Sequence, residues 1–282
     1  MKMKEQVIVI TGATDGIGKV AARELFKKGY TLALVGRNKQ KLDQTKSELM
    51  QYSSGNSIFI YKADLSLIKE TKMVAAEIRK EHLKIYCLLN NAGAFFSSRL
   101  LTSEGLEETL ALNHINYFLL TKELLPCLEN YGDARIVNVA SRAHVGVKLD
   151  FDNLQGEKEY SGWRQYQRSK LMNIYFSYEM ANRLKPKGIT VNCLHPGFVK
   201  TKFGSNNEGF AKTLVTIGQN LFAISENKGA ETSIYLASSP EVANISGKYF
   251  VKCRESKSSP ESYDLDASKK LWDLTEGILG KI

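Results

Sequence analysis

Residues 7–36 read VIVITGATDGIGKVAARELFKKGYTLALVG, and the order of apolar runs and glycines in them decides the fold. Val7 to Ile10 is an unbroken run of β-branched residues, the pattern of a parallel strand buried on both faces. It ends in Thr11-Gly12 and opens onto TGATDGIG. The stretch GKVAARELFKKG then has apolar residues at helical spacing, and Gly29 closes this amphipathic helix. TLALVG, Thr31 to Gly36, is a second buried strand. Strand, glycine turn, helix, strand is the opening of a nucleotide-binding βαβ unit. The glycines are Gly12, Gly16 and Gly18, a spacing that departs from G-x-G-x-x-G. The physics is unchanged: glycines let the backbone turn sharply and approach a pyrophosphate, whose charge meets the N-terminus of the next helix. Glycines alone would also suit a bare βα loop, but the flanking strand and helix favour the nucleotide reading.

The alternation continues to the end of the chain. Further strands are expected at SIFIYK (57–62), IYCLL (85–89), ARIVNVA (134–140), ITVNCLH (189–195) and GKYFV (247–251). Helices are expected from Asn38 to Tyr52, about Ser66 to Glu81, Ser103 to Leu128, Trp163 to Lys185, Gly229 to Ser238 and Ala267 to Ile282. ESKSSPESYD, residues 255–264, reads as a polar loop. No internal repeat, low-complexity run or interdomain linker interrupts the pattern. It implies an α/β fold, a Rossmann-like doubly wound parallel sheet flanked by helices, with residues 1–282 as a single domain.

Composition excludes several classes. At 43% hydrophobic and 24% charged residues, the 282-residue chain is ordinary for a globular protein with a sizeable core. The formal net charge is +9, but the lysines are scattered, with only short clusters such as Lys27-Lys28 and Lys269-Lys270. No nucleic-acid arm is implied, and a pull on an anionic cofactor is the more economical reading. Cys87, Cys127, Cys193 and Cys253 are far apart and lack metal-ligand spacing, so reduced thiols and no metal are expected. Before Thr11 only four strongly apolar residues run together, and no later run approaches about 18 residues. A soluble, cytoplasmic protein without a transmembrane segment is expected, with peripheral contact by the closing helix left open.

The chemistry centres on YQRSK, Tyr166 to Lys170, inside the helical stretch WRQYQRSKLMNIYFSYEMANRLK. Residues four apart share a helix face, so the Tyr166 hydroxyl and the Lys170 ammonium point the same way. A fixed cation beside a phenol lowers its pKa toward the working range, which makes an acid–base device. Tyr-x-x-x-Lys also occurs on ordinary surface helices, so the pair alone does not decide.

TGATDGIG, NNAG at Asn90 to Gly93, Ser141 and YQRSK, in that order across nearly the whole chain, resemble the signature set of the short-chain dehydrogenases/reductases. Ser141-Arg142-Ala143-His144 and the chain's ending resemble the retinol-dehydrogenase-like branch. The resemblance implies a catalytic set of Asn113, Ser141, Tyr166 and Lys170. Asn113, in ETLALNHINYFLL, would hold a water linking Lys170 to solvent; a satisfied buried amide is its alternative. Asn90 would tie the sheet together, and His114 is expected to serve packing.

The same resemblance implies cofactor contacts from Gly12, Thr14, Asp15, Gly16, Ile17 and Gly18. Further contacts would come from Asp64, Leu65, Asn91, Ala92, Gly93, Tyr166, Lys170, Pro196, Gly197, Val199 and Thr201. Asp64 would accept from the adenine amino group, or else cap the helix after Ser66. Val199 would meet the nicotinamide amide through its backbone, and Thr201 through its hydroxyl. After the second strand stands Gly36-Arg37-Asn38, where an acidic residue would hold the ribose hydroxyls of NAD. Arg37 could instead grip a 2′-phosphate, so NADP(H) is the expected cofactor, with NAD(H) as the alternative. A solvated turn arginine is the bland reading.

Ser141 and Tyr166 stand 25 positions apart, longer than is usual for the family. The extra segment, HVGVKLDFDNLQGEKEYSGW, resembles an insertion of the retinol-dehydrogenase and carbonyl-reductase branches that covers one side of the pocket and alters subunit contacts. Monomer, homodimer and tetramer therefore all stay open. Residues 198–225 are the expected substrate lid, and the apolar residues there suggest an apolar small-molecule carbonyl or alcohol: an aldehyde, a ketone or a retinoid-like compound. The expected activity is NADP-dependent hydride transfer. The alternatives are a cofactor-binding regulatory or scaffold protein on the same fold and an epimerase or dehydratase using the same Tyr and Lys.

Overall fold

Side chains alternate across each strand, so a strand buried on both faces divides its residues between two cores. In the computed structural model, which describes residues 5–52, 55–198 and 224–281, Ile8, Ile10, Leu32, Leu34, Cys87 and Leu89 pack on one side of the sheet, with Leu25 and Phe26. Val9, Ala33, Val35 and Leu88 pack on the other, with Ile78, Phe118, Phe176 and Met180. The strands are β1 (Val7–Thr11), β2 (Thr31–Gly36), β3 (Ile58–Lys62), β4 (Cys87–Asn90), β5 (Arg135–Val139), β6 (Thr190–His195), β7 (Lys248–Val251) and β8 (Arg254–Ser256). They form one sheet in the order β3-β2-β1-β4-β5-β6-β7-β8. All pairings as far as β7 are parallel. This is the doubly wound α/β fold that the alternating pattern implies.

The helices among the described residues are α1 (Gly16–Lys27), α2 (Lys39–Met50), α3 (Ile68–Glu81), the short α4 (Glu108–Leu110), α5 (Asn116–Tyr131), α6 (Gly162–Leu184), α7 (Glu226–Ser238) and α8 (Leu265–Leu279). Side-chain oxygens of Asp15, Asn38, Ser161, Ser225 and Asp264 cap five of them, in the positions where a short polar residue meets an apolar periodic run. No helix among the described residues is long and apolar enough to cross a membrane.

Three expectations fail locally. The helix expected from Ser103 to Leu128 begins only at Glu108, widens into a π turn at Ala111–Ile115 and continues as α5. Before it, Leu101 bridges Glu107. The first two residues of the expected polar loop, Glu255 and Ser256, belong to β8, an antiparallel edge strand. Its two-residue connection has Lys252 at φ 51° and Cys253 at φ 58°. Sequence patterning misses this hairpin because neither residue is one of the usual glycines or asparagines of such turns. Asp64 does not cap α3. Its Oδ1 accepts from the Ser66 backbone and hydroxyl, while Glu104 takes the backbone N–H groups of Ile68 and Lys69 from 36 and 35 residues away.

Candidate active site

β1 lies between β2 and β4, so the connections leaving β1 and β4 diverge and leave a crevice at the carboxyl end of the sheet. Thr11 fastens its two walls. Its Oγ1 accepts from the backbone N–H of Asn91 (2.9 Å) and of Ala92 (3.0 Å). The Asn91 side chain donates back to the carbonyls of Thr11 and Gly12. Gly12 has φ +66°, and a Cβ there would lie 2.9 Å from Ala92 Cα; one on Gly18 would lie 2.3 Å from the Gly12 carbonyl oxygen. The glycines thus permit a close backbone approach, with Ala92 opposite Gly12.

The turn from Gly12 to Gly18 delivers the N-terminus of α1, whose first turn carries no acidic side chain; Asp15, the cap, accepts from Gly16 N–H. A helix N-terminus draws anions such as a pyrophosphate, and here the Asp15 carboxylate already takes the Gly16 N–H. Thr14 lies against the end of β2, its methyl 3.3 Å from where a Gly36 Cβ would stand. Arg37 follows, exposed. Burial and the charges of Asp64 and Glu107 raise the Glu108 carboxyl pKa, and Arg37 opposes them. Arg37 and Asp64 thus lie near enough to Glu108 for their charges to act on it, and Leu65 is buried next to Asp64 in the chain.

NNAG is held from below. Asn90 donates to Thr121 Oγ1 and Asn138 Oδ1, and Asn138 donates to Ser177 Oγ, a polar ladder from β4 through β5 to α6. Asn113, on the π turn, clamps the next residue: its Oδ1 accepts from Ala94 N–H and its Nδ2 donates to Ala94 O, both at 2.9 Å. Nδ2 also donates to Ser169 Oγ at 3.0 Å. Both amide donors are committed, so any relay through Asn113 must use its oxygen atoms. A Cβ on Gly93 would come within 3.1 Å of Asn113 Oδ1 and 3.4 Å of Lys170 Nζ, which brings the NNAG turn, the π turn and α6 together. His114 is buried and bonds Thr275 Oγ1 of α8 at 3.1 Å, a structural tether rather than packing alone.

Ser141 follows β5 in extended conformation, and its Oγ accepts from Ala143 N–H. Two histidines that patterning did not single out hold this loop. His144 accepts at Nε2 from Ser259 N–H (3.0 Å), so Nδ1 carries the proton and donates to the Ser141 carbonyl (2.5 Å). His195, at the end of β6, accepts from Arg142 N–H at 3.2 Å. Burial, then Arg142 and His144, bring its pKa down to about 4, so it is neutral near pH 7.

On α6, Tyr166 and Lys170 face this loop. Burial raises the Tyr166 phenol pKa, outweighing the nearby Ser141 hydroxyl, which favours the phenolate. This reverses the expected depression by Lys170, whose Nζ is 5.5 Å from the Tyr166 ring centroid and donates to Val139 O at 3.2 Å. The lysine itself bears the cost of burial: its pKa falls to about 8. The group meant to acidify its neighbour is thus desolvated too. Chemically, the arrangement offers two hydroxyls side by side, backed by a buried amine.

Glu107 is the residue most clearly missed. It is fully buried and accepts from Thr109 N–H, Leu110 N–H, Gln165 Nε2 and Tyr160 OH at 2.8–3.1 Å. It thereby joins the segment before the π turn, the insertion between Ser141 and Tyr166, and α6 one residue ahead of Tyr166. Its place just before the short α4 was the available signal. Pro196 and Gly197 follow β6, Gly197 at φ +94° against Ile224. Val199, Thr201 and most of the expected lid lie outside the described residues.

Comparison with known proteins agrees with this geometry. The sequence pattern of the family described as short chain dehydrogenase matches residues 6–211. Retinol dehydrogenase 14 of Homo sapiens is 34% identical over 293 residues, covering 99% of this chain and 87% of the relative. Retinol dehydrogenase 12 of Bos taurus is 35% identical over 275 residues, covering 98% and 86%. Among solved structures, an uncharacterised protein from Mycobacterium paratuberculosis aligns with TM-score 0.78 at 25% identity over 98% of this chain and 93% of its own. Levodione reductase, at 17% identity and TM-score 0.70 over 87% of this chain and 95% of its own, shares the fold.

Proposed function

The chain belongs to the short-chain dehydrogenase family, in its retinol-dehydrogenase-like branch, and from that premise we propose that it is an NADP(H)-dependent reductase of apolar aldehydes and ketones, or the corresponding alcohol dehydrogenase. The observation that carries the reading is Tyr166 beside Ser141, with Lys170 on the same helix face, next to the glycine crevice. Bound NADP(H) would supply or accept the hydride. Gly12 to Gly18 and the N-terminus of α1 would hold its pyrophosphate, and Asn91, Ala92, Gly93, Pro196 and Gly197 would line its path. Arg37 would pair with the 2′-phosphate, since no carboxylate follows β2 before Asp43.

In reduction, Ser141 would hold the carbonyl oxygen and Tyr166 would give its proton to the developing alkoxide. Lys170 would stabilise the phenolate left behind, and Asn113 would connect that lysine to solvent through its oxygen atoms. A charged Lys170 matters most once Tyr166 has lost its proton, because burial otherwise holds that proton firmly. Orienting the carbonyl between the two hydroxyls supplies much of the acceleration. The described lid boundary, Phe198 and Ile224, is apolar and exposed, in keeping with an apolar substrate. Cytoplasmic residence follows the same proposal.

Two variants test it. Tyr166→Phe should bind NADPH as wild type does and lose about a hundredfold or more of turnover; activity near wild type would refute the acid–base assignment, and would leave a cofactor-binding regulator as the better reading. Arg37→Asp should lose preference for NADPH over NADH in direct titrations, whereas unchanged discrimination would remove Arg37 from the cofactor site.

A further inference from the structure

Trp163 stands on the first turn of α6, three residues before Tyr166, with 52% of its surface exposed. Residues three apart share a helix face, and the indole lies against the Tyr166 phenol: centroids 5.8 Å apart, planes 26° apart. Phe95 stands edge-on to both rings, 6.3 Å from Trp163 and 6.1 Å from Tyr166. Phe95 and Tyr166 are buried. Only the indole of this trio turns a broad face outward.

Its position is fixed from behind. A Cβ on Gly162 would fall 2.3 Å from Phe96 O and 2.7 Å from Ser97 Cα. α6 therefore starts pressed against the segment that leads out of NNAG and carries Phe95. Val145, four residues past Ser141, and Phe198, just past Pro196-Gly197, are also apolar and exposed. A lone exposed aromatic needs no explanation. An indole braced by two rings, one of them bearing the proposed proton donor, is a flat plate beside the reacting oxygen.

We propose that Trp163 is a specificity-determining residue that selects planar conjugated carbonyl compounds, aryl aldehydes and ketones whose ring is coplanar with the C=O, by stacking. The inference rests on the carbonyl-reductase reading of the same site. Aromatic faces attract one another in offset stacks at centroid separations of roughly 4.5–7 Å, and the indole already holds the phenol within that range. A flat aryl ring on its outer face extends the stack while its carbonyl oxygen turns toward Ser141 and Tyr166. A puckered saturated ring of equal size covers similar area without the complementary quadrupole.

Benzaldehyde and cyclohexanecarbaldehyde make the discriminating pair. NADPH oxidation is followed with wild type, Trp163→Phe and Trp163→Leu. The leucine variant should raise KM for benzaldehyde about two- to tenfold relative to its effect on cyclohexanecarbaldehyde, the range of one aromatic pair. The phenylalanine variant should recover most of that loss, with kcat little changed in both. Equal shifts for the two aldehydes, or none, would overturn the proposal.

A readout without turnover separates this from the parent reading. The protein has two tryptophans, so saturable quenching of indole fluorescence by benzaldehyde should occur in wild type and vanish in Trp163→Phe. Such quenching with no NADPH oxidation in the presence of either aldehyde would refute the reductase reading and keep the stacking site. NADPH-dependent reduction of both aldehydes, with quenching absent or unchanged in Trp163→Phe, would do the reverse.

Discussion

Replacing Lys170 with methionine should make the cofactor-free protein more stable while removing its activity. Lys170 is 4% exposed, and burial brings its ammonium pKa from 10.5 down to about 8. That displacement corresponds to about 3 kcal/mol of penalty on the charged form in the folded state. Below pH 8 both folded and unfolded chains carry the proton and the penalty is complete. Between about 8 and 10.5 the unfolded chain binds more protons than the folded one, so stability rises with pH and the penalty falls below about 1 kcal/mol by pH 10. Methionine has similar length and no charge. The Val139 carbonyl would keep Asn173 Nδ2 at 3.4 Å and Tyr117 OH at 3.5 Å as donors, so little hydrogen bonding is lost. Urea unfolding of the two proteins without cofactor should show Lys170→Met ahead by about 2 kcal/mol at pH 7 and nearly level at pH 10, with hydride transfer abolished. A variant less stable than wild type at pH 7, or a gap that does not shrink with pH, would refute the argument that the amine is stored at a cost to stability for the sake of function.

Two stability predictions come from elsewhere in the fold. Replacing Lys252-Cys253 by Asn-Gly relieves two non-glycine residues held at positive φ and keeps the bond from residue 253 N–H to Thr232 Oγ1; the expected gain is about 1 kcal/mol or more, a melting temperature higher by roughly 2–4 °C, and no rise would count against strain in that turn. Glu107→Ala strands the four donors the carboxylate serves and should cost roughly 2–4 kcal/mol in urea unfolding, with Glu107→Gln in between; a cost under half a kcal/mol would mean that water replaces the carboxylate.

Much of the site was legible because it depends on short-range order. The glycine turn follows a buried strand and precedes an amphipathic helix, so Gly12, Gly16 and Gly18 could be placed at a crevice before any coordinates. Asn90 was readable as a sheet-tying amide, and it is one. Most of the failures share a cause, a partner distant in sequence; the β7–β8 hairpin, a local pairing, is the exception. Glu104 caps α3 across 36 residues, which left capping open as one of two readings of Asp64. His144 is fixed by Ser259, 115 residues on. The π turn at Ala111–Ile115 breaks a run with good helical periodicity, and its clamp on Ala94 is invisible to a periodicity argument. Residues 252–253 lack the composition of a tight turn because the antiparallel pairing of β7 with β8 imposes the geometry.

By itself the sequence determined most of the strands and helices, that they alternate into a doubly wound sheet, and that Tyr166 and Lys170 share a helix face. Those properties follow from periodicity and covalent geometry. Only the tertiary structure decided the state of the groups on that face: a phenol raised rather than lowered, an amine brought to about 8, an indole left open beside them. Proton affinity and exposure depend on what surrounds a side chain after folding, and those neighbours come from β5, the NNAG turn and the N-terminal turn of α6 together.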